Sequence, residues 1–208
     1  MFLRFPRSPN YHRVLTLSPA LRWGGDFHAW VDLGCGNASA TRTVRKPKAI
    51  KKISVDVYDG PEKPEGFINA EIMEYVCSHP LDDCFVSLLD VIEHFPKHEG
   101  VALLQLLEKK AAAICVFTPN GFYPQNPETN PEIATRPEQW HRSGWTAREF
   151  RERGYDVIDF PQMHSSFGGF AAIRSKKWRS RKLWRSSLFA LYLRGLLAYY
   201  SRRLHIRK

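Results

Sequence analysis

Short apolar runs recur along the chain between about residues 29 and 174. They cover Trp30 to Leu33, Ile53 to Val57, Phe67 to Ala70, Phe85 to Leu89, Ala113 to Phe117, Tyr155 to Phe160 and Phe167 to Ile173. Runs of this length bounded by turn residues predict strands, and near-continuous apolar character predicts burial on both faces of a sheet. Between them, Pro96 to Ala112 carries Val101, Leu103, Leu104, Leu106 and Leu107 at helical spacing, with a proline near the first turn. Thr146 followed by Glu149 reads as a capping box for a helix over Ala147 to Arg153 that Gly154 ends. Alternating strands and helices predict parallel βαβ units. Only a few residues around Pro161 and His164 separate the last two runs, too few for a parallel crossover, so these strands should form an antiparallel hairpin at the sheet edge. The stretch Pro119 to Trp145, rich in Pro, Asn and Gly, lies just past the fifth strand and is longer than ordinary connections, as functional loops often are.

Composition adds an appendage to this picture. A chain of 208 residues that is 43% hydrophobic supports one well-buried core. Its formal charge of +10 is unevenly placed: of 31 Lys and Arg, 11 fall in residues 175–208, which hold no Asp or Glu, so residues 1–174 carry 20 basic against 21 acidic groups. We therefore expect a domain over 1–175 and a basic, apolar helical tail over 176–208. Within the tail, Ser186 to Tyr200 is mostly apolar but interrupted by Arg194 and Gly195, short of the roughly 20 residues that span a bilayer. A helix lying on an anionic membrane surface, with Trp178, Trp184, Tyr199 and Tyr200 at the interface, fits it better; packing on the domain itself or on a second subunit is the alternative. Cys35, Cys77, Cys84 and Cys115 lack paired metal-ligand spacing and read as reduced thiols. Met1 to Leu17 lacks the continuous apolar region of a secretory signal. The expected location is cytoplasmic, peripheral at the inner membrane face.

Candidate chemistry begins at Val31-Asp32-Leu33-Gly34-Cys35-Gly36-Asn37, a strand end running into a glycine turn. The glycines allow close backbone approach to a ligand, and a following helix would point its first amides into the crevice. The dinucleotide fingerprint needs a third glycine where Ser39 stands, so a nicotinamide cofactor is disfavoured. Asp56, at the end of the second strand, can accept both hydroxyls of a ribose. Glu71, after the third strand, is placed either to accept from an exocyclic amine or to sit at a helix N-terminus.

Three strings in order, Val31 to Asn37, Leu89-Asp90-Val91-Ile92-Glu93-His94-Phe95 and Phe117-Thr118-Pro119-Asn120, resemble the class I S-adenosylmethionine (SAM) dependent methyltransferases, over about residues 11 to 174. The resemblance implies a three-layer α/β Rossmann-like sandwich with a mostly parallel seven-stranded sheet, order 3-2-1-4-5-7-6, and one antiparallel strand. It implies a cofactor set of Asp32, which would reach the cationic methionine portion, with Gly34, Cys35, Gly36, Asp56, Glu71 and Asp90. The short stretch between Asp56 and Phe67 departs from the family pattern, leaving little room for its usual helix there.

Asp90-x-x-Glu93-His94 with the distant His141 is similar to the arrangement by which small-RNA 2′-O-methyltransferases hold a divalent cation, and its first half resembles ubiquinone-pathway O-methyltransferases. Glu-His at this point is also common in methyltransferases that bind no metal, so the expectation is no metal, with Glu93, His94 and His141 as the ligands if there is one. His141 and His94 are the candidate catalytic residues, expected with Asp90 and Glu93 to face the substrate; His98 and His164 are secondary. The expected reaction moves a methyl group from SAM to a hydroxyl or amine of a small or lipid-linked molecule. The alternatives are an RNA ribose 2′-O-methyltransferase that uses the tail as a phosphate clamp, and a non-catalytic SAM-binding scaffold.

Overall fold

The computed structural model describes residues 9–57, 60–161, 167–178 and residue 186. Helix α1 spans Pro9–Trp23, followed by β1 Ala29–Leu33, β2 Lys51–Asp56, β3 Phe67–Asn69, α2 Ile72–Ser78, β4 Cys84–Leu89, α3 Lys97–Lys110, β5 Ala113–Pro119, α4 Ala147–Glu152, β6 Asp156–Phe160 and β7 Gly169–Ser175. The strands form one sheet in the order β3-β2-β1-β4-β5-β7-β6, parallel except for β7, which runs antiparallel to both β5 and β6. The expected topology is present, and each predicted strand agrees with its observed element to within a residue or two.

Strands β1 and β5 are buried along their whole length, which is why, Asp32 and Thr118 apart, they read as apolar runs. On β1, Val31 and Leu33 face one layer, shared with Leu103, Leu104 and Leu107 of α3 and Phe150 of α4. Trp30 faces the other, with Phe85, Phe117 and Leu17 and Leu21 of α1. The capping box at Thr146 and Glu149 is formed in both directions. Gly154 then ends that segment at φ +82°.

Two features differ from expectation. No helix follows the glycine turn: residues 37–50 form successive turns, with Ala38 at φ +55° and Pro47 before β2. A left-handed residue this early breaks the helical hydrogen-bond ladder before it propagates, and a start at Pro47 would leave only residues 48–50 before β2. The second face of the sheet is instead covered in part by α1, a helix that arginines and Pro19 hide from a periodicity reading. The tail expected over 176–208 lies, apart from residues 176–178 and 186, outside the described residues, as does His164. No helix among the described residues is long and apolar enough to cross a membrane.

Packing is close where α3 meets the long loop. Trp145 is 1% exposed, its indole N–H donates to the Ile92 carbonyl at 3.2 Å and to Ser143 Oγ at 2.9 Å, and a Cβ on Gly100 would lie 2.7 Å from its ring. Gly100→Ala gains about 1 kcal/mol of helix propensity, but it must displace an indole held at two points. We expect a net loss of about 1–3 kcal/mol, the usual range for overpacking, measurable by urea unfolding.

Candidate active site

A cleft of about 570 Å³ opens at the carboxyl ends of β1, β2 and β4. This is the topological switch point, where β2 lies on one side of β1 and β4 on the other. The Gly34 and Cys35 amides both donate to the Val55 carbonyl, at 2.8 and 3.3 Å, fastening the turn to β2. Gly34, at φ +70°, has no space for a side chain, since a Cβ would lie 2.4 Å from Val91 Cγ2. Gly36, at φ +51°, borders open space, with nothing within 4 Å of where a Cβ would stand. Asp56 Oδ2 accepts the Gly36 N–H at 2.7 Å, so the acid at the end of β2 and the turn after β1 form one unit.

Of the sequence-predicted cofactor set, Gly34, Cys35, Gly36, Asp56, Glu71 and Asp90 all line this cleft. Glu71 is also the residue before α2, the helix-terminal position that its second reading gives it. Asp90 sits at φ +53°, a left-handed conformation that Asp tolerates better than most residues, with its N–H on the Phe117 carbonyl at 2.7 Å. The Cys35 thiol is pushed up to about 12, first by burial and then by the Asp32 and Asp56 charges. At neutral pH it is a protonated wall and no nucleophile.

Asp32 is the correction within that set. Its side chain points into the buried layer beneath the turn, 2% exposed, and it is not among the cleft-lining residues. Ser87 Oγ donates to it at 2.6 Å and Thr41 Oγ1 at 3.0 Å, while Lys52 Nζ lies 3.4 Å away. Burial raises its pKa, and the Lys52 charge and the hydrogen bonds oppose the rise. Side chains alternate along a strand, so Asp32 shares the Trp30 face, where it holds the turn segment at Thr41.

The Asp90-to-His94 string is split in a similar way. After β4 the chain makes a 3-10 turn over Ile92–His94, which sends successive side chains in different directions. His94 faces the cleft. Glu93 turns inward, 2% exposed, accepting from Thr118 Oγ1 at 3.0 Å, and its carbonyl takes the Arg142 and Ser143 amides at 2.8 and 3.1 Å. Neither Glu93 nor His141 is among the residues lining this cleft. His141 packs edge-on behind His94, with ring centroids 4.8 Å apart. His98 is solvent-exposed on α3 beside Glu99.

Both rings have their tautomer set by backbone. His94 Nδ1 meets the Trp140 carbonyl at 3.3 Å and His141 Nδ1 the Tyr123 carbonyl at 2.7 Å. A carbonyl only accepts, so in its neutral form each ring carries its proton on Nδ1 and offers Nε2 as an acceptor. One ligand atom from each of Glu93, His94 and His141 lies within 4.8 Å of the others. Sequence reasoning missed the far wall, formed by Pro137–Gln139 and Arg142. The only signal for it was the unusual length of the loop.

The His94 pKa is lowered to about 4, mainly by burial and then by His141. At neutral pH the ring is uncharged and a weak base, better suited to orienting or ligating than to removing a proton. A depressed histidine pKa contributes stability that is present above the unfolded value of 6.5 and lost as pH falls toward 4. Wild type should therefore lose on the order of 3 kcal/mol more than His94→Asn across that window. Urea unfolding at a series of pH values measures this, and parallel curves for the two proteins would rule it out.

No protein-family model and no curated protein matches this chain. Solved structures do match it in fold. The small RNA methyltransferase HEN1 aligns over 88% of this chain and 27% of its own at 18% identity and TM-score 0.53. The methyltransferase domain of bacterial CtHen1-CN aligns over 81% of this chain and 100% of its own, at 20% and 0.54. The N-terminal domain of EvdMO1, solved in the presence of SAH and D-fucose, aligns over 81% and 83%, at 10% and 0.54. This chain thus spans about a quarter of the first of these proteins. At such identities the likeness is one of architecture, and the chain has the Rossmann-like fold of the SAM-dependent methyltransferases.

Proposed function

We propose that the protein is a SAM-dependent methyltransferase acting on a hydroxyl, or an amine, of a small acceptor. The observation that carries this reading is the joined unit of Gly34, Gly36 and Asp56 at the switch point, beside open space that a side chain at Gly36 would fill. The residues present fit the cofactor. Asp56 accepts the Gly36 N–H with one carboxylate oxygen, and a carboxylate, with roughly four lone-pair sites, is the acceptor type that ribose hydroxyls need. Glu71 is an exposed acceptor on the adjoining wall, suited to an exocyclic amine. The carboxylates of Asp56, Glu71, Asp90, Glu99 and Glu138 line the cleft against the single guanidinium of Arg142, a balance that favours a cationic cofactor.

The sulfonium supplies an activated methyl group with a good leaving group. The chain's own residues need only hold the acceptor about 3 Å from it and in line. His94, neutral and with Nε2 as acceptor, can orient an acceptor hydroxyl at the cleft wall, while Phe95, Pro96 and the Pro137–Gln139 wall narrow access by water. The same acidic lining disfavours a phosphate-rich acceptor within the cleft, which supports a small, neutral or cationic substrate over nucleic acid.

A second reading rests on Glu93, His94 and His141. Three ligands about 2.1 Å from one ion stand about 3.0–3.4 Å apart in octahedral or tetrahedral geometry, so side-chain movements of roughly 1.5 Å would bring these atoms onto a shared divalent cation. The carbonyls fixing both Nδ1 protons are the outer partners such ligands use. A cation there would lower the pKa of a bound hydroxyl and favour a ribose acceptor, as in the small-RNA enzymes.

Calorimetry with S-adenosylhomocysteine tests the first reading. Wild type should bind, and Asp56→Ala should weaken binding by about 10- to 100-fold, the loss of one or two hydrogen bonds to a charged group. Absence of binding by the folded wild-type protein would refute the assignment. Transfer of labelled methyl groups to small-molecule, lipid and RNA fractions, with and without a chelator, separates the two readings. Activity on RNA that chelation abolishes and a divalent cation restores would favour the second.

A further inference from the structure

The two ends of the sheet carry opposite charge. At the carboxyl end lie the acids of the cleft. At the amino end, where Ala29 pairs with Lys51 and Ala113 with Ser175, the exposed cations are Arg45, Lys48, Lys51, Lys109, Lys176 and Lys177. The exposed acids beside β1, β2, β5 and β7 there are Asp26, Asp82 and Asp83, and Asp83 is taken up by Lys177; Glu65 and Glu152 lie at the starts of the edge strands β3 and β6, Glu152 paired with Arg148. Residues 33–55 contain no acid at all.

The amino end is also where the described chain runs out. Strand β7 is antiparallel, so it ends beside the starts of the other strands. Lys176 N donates to the Ala112 carbonyl at 2.9 Å, Ser175 Oγ donates to the Gly24 carbonyl at 2.5 Å, and Trp178 packs on the core layer that includes Val44 and Trp23. The Arg45 amide, on Ser18 Oγ at 3.0 Å, ties the basic turn to α1 on that same layer. The sequence that follows Trp178 interleaves Arg and Lys with Trp, Leu, Phe and Tyr.

We propose that this amino-terminal end of the sheet is a docking surface for an anionic lipid bilayer, seating the protein with its cleft turned away from the membrane. Charge complementarity holds at this end and is reversed at the other, so an anionic surface orients the molecule as well as attracting it. The apolar and aromatic residues of the following segment suit the headgroup layer, whereas a phosphate clamp for nucleic acid would need only the cations. The sheet separates this surface from the cleft by the length of its strands, about 20 Å for five to seven residues. The acceptor would then arrive from the aqueous side. None of this depends on which reaction the cleft performs.

The test uses the full chain and sedimentation with vesicles of about three parts phosphatidylcholine to one part phosphatidylserine, against phosphatidylcholine alone. We expect binding to the anionic vesicles that falls with salt. Lys48→Glu/Lys51→Glu should reduce partitioning at least about 25-fold, since each basic residue at such a surface is worth about fivefold. The charge-matched control Arg136→Glu/Arg148→Glu, on exposed arginines away from this end, should change it less than about threefold. Circular dichroism checks that both variants are folded. Equal losses in the two variants, equal binding to neutral vesicles, or strong salt-dependent RNA binding without vesicle binding would each overturn the proposal.

Discussion

The site depends on how the chain leaves the end of β1. To either side of that strand the neighbours diverge, β2 one way and β4 the other, and the crevice this opens must be floored by backbone alone. Gly34 makes the floor possible because Val91 fills the position its side chain would occupy. The Gly34 and Cys35 amides on the Val55 carbonyl, with Gly36 on Asp56, then fix the turn to the end of β2. Shifting this turn by one residue would place Cys35 at the position where Val91 leaves room for hydrogen only. The cleft, its acid at Asp56 and its open face at Gly36 therefore stand or fall as one unit.

Beneath that turn the structure uses buried polar groups where a helix would otherwise serve. A helix after the glycines would anchor the segment by packing an apolar stripe. Here residues 37–50 are turns, and Asp32 holds them through Thr41, with Lys52 Nζ 2.6 Å from the same hydroxyl and 4.6 Å above the Trp30 ring. Ser87 joins the network by donating to Asp32 and accepting from the Trp30 indole at 2.7 Å. Burying this carboxylate costs free energy, as its raised pKa records. The compensation is directional: hydrogen bonds fix one arrangement of the turn, where apolar contacts alone would permit several.

How far the sequence announces this differs by element, for physical reasons. Strands β1, β4 and β5 are legible because burial on both faces demands continuous apolar residues. The capping box of α4 is legible because its bonds join residues three apart. Helix α1 is not, since Pro19 and the arginines disrupt its period while tertiary packing supplies its stability. In the site, glycines and strand-end acids are readable because their function follows from backbone position. The direction of Asp32, Glu93 and His141 is not, because face alternation in a strand and rotation in a 3-10 turn are settled only once the element boundaries are known. Glu93 and His94 are adjacent in sequence, yet the first is buried under Thr118 and the second lines the cleft wall.

Charge has the same character. Residues 1–174 hold nearly equal numbers of acidic and basic groups, so composition alone describes a neutral body. Topology separates them. Parallel strands place every strand end that bears a cleft acid on one side of the sheet, while the segments that re-enter the sheet return to the other side, bringing Lys48, Lys51 and Lys109 with them. The antiparallel β7 is the exception that sends Lys176 and Lys177 to the basic end as well. A wound α/β sheet thus converts a local habit, acids after strands and lysines before them, into a molecular dipole. That dipole exists without net charge, and it acts over about a Debye length, roughly 8 Å at physiological ionic strength. It therefore orients the molecule only against a surface it already touches, which makes the exposure of those lysines matter more than their number.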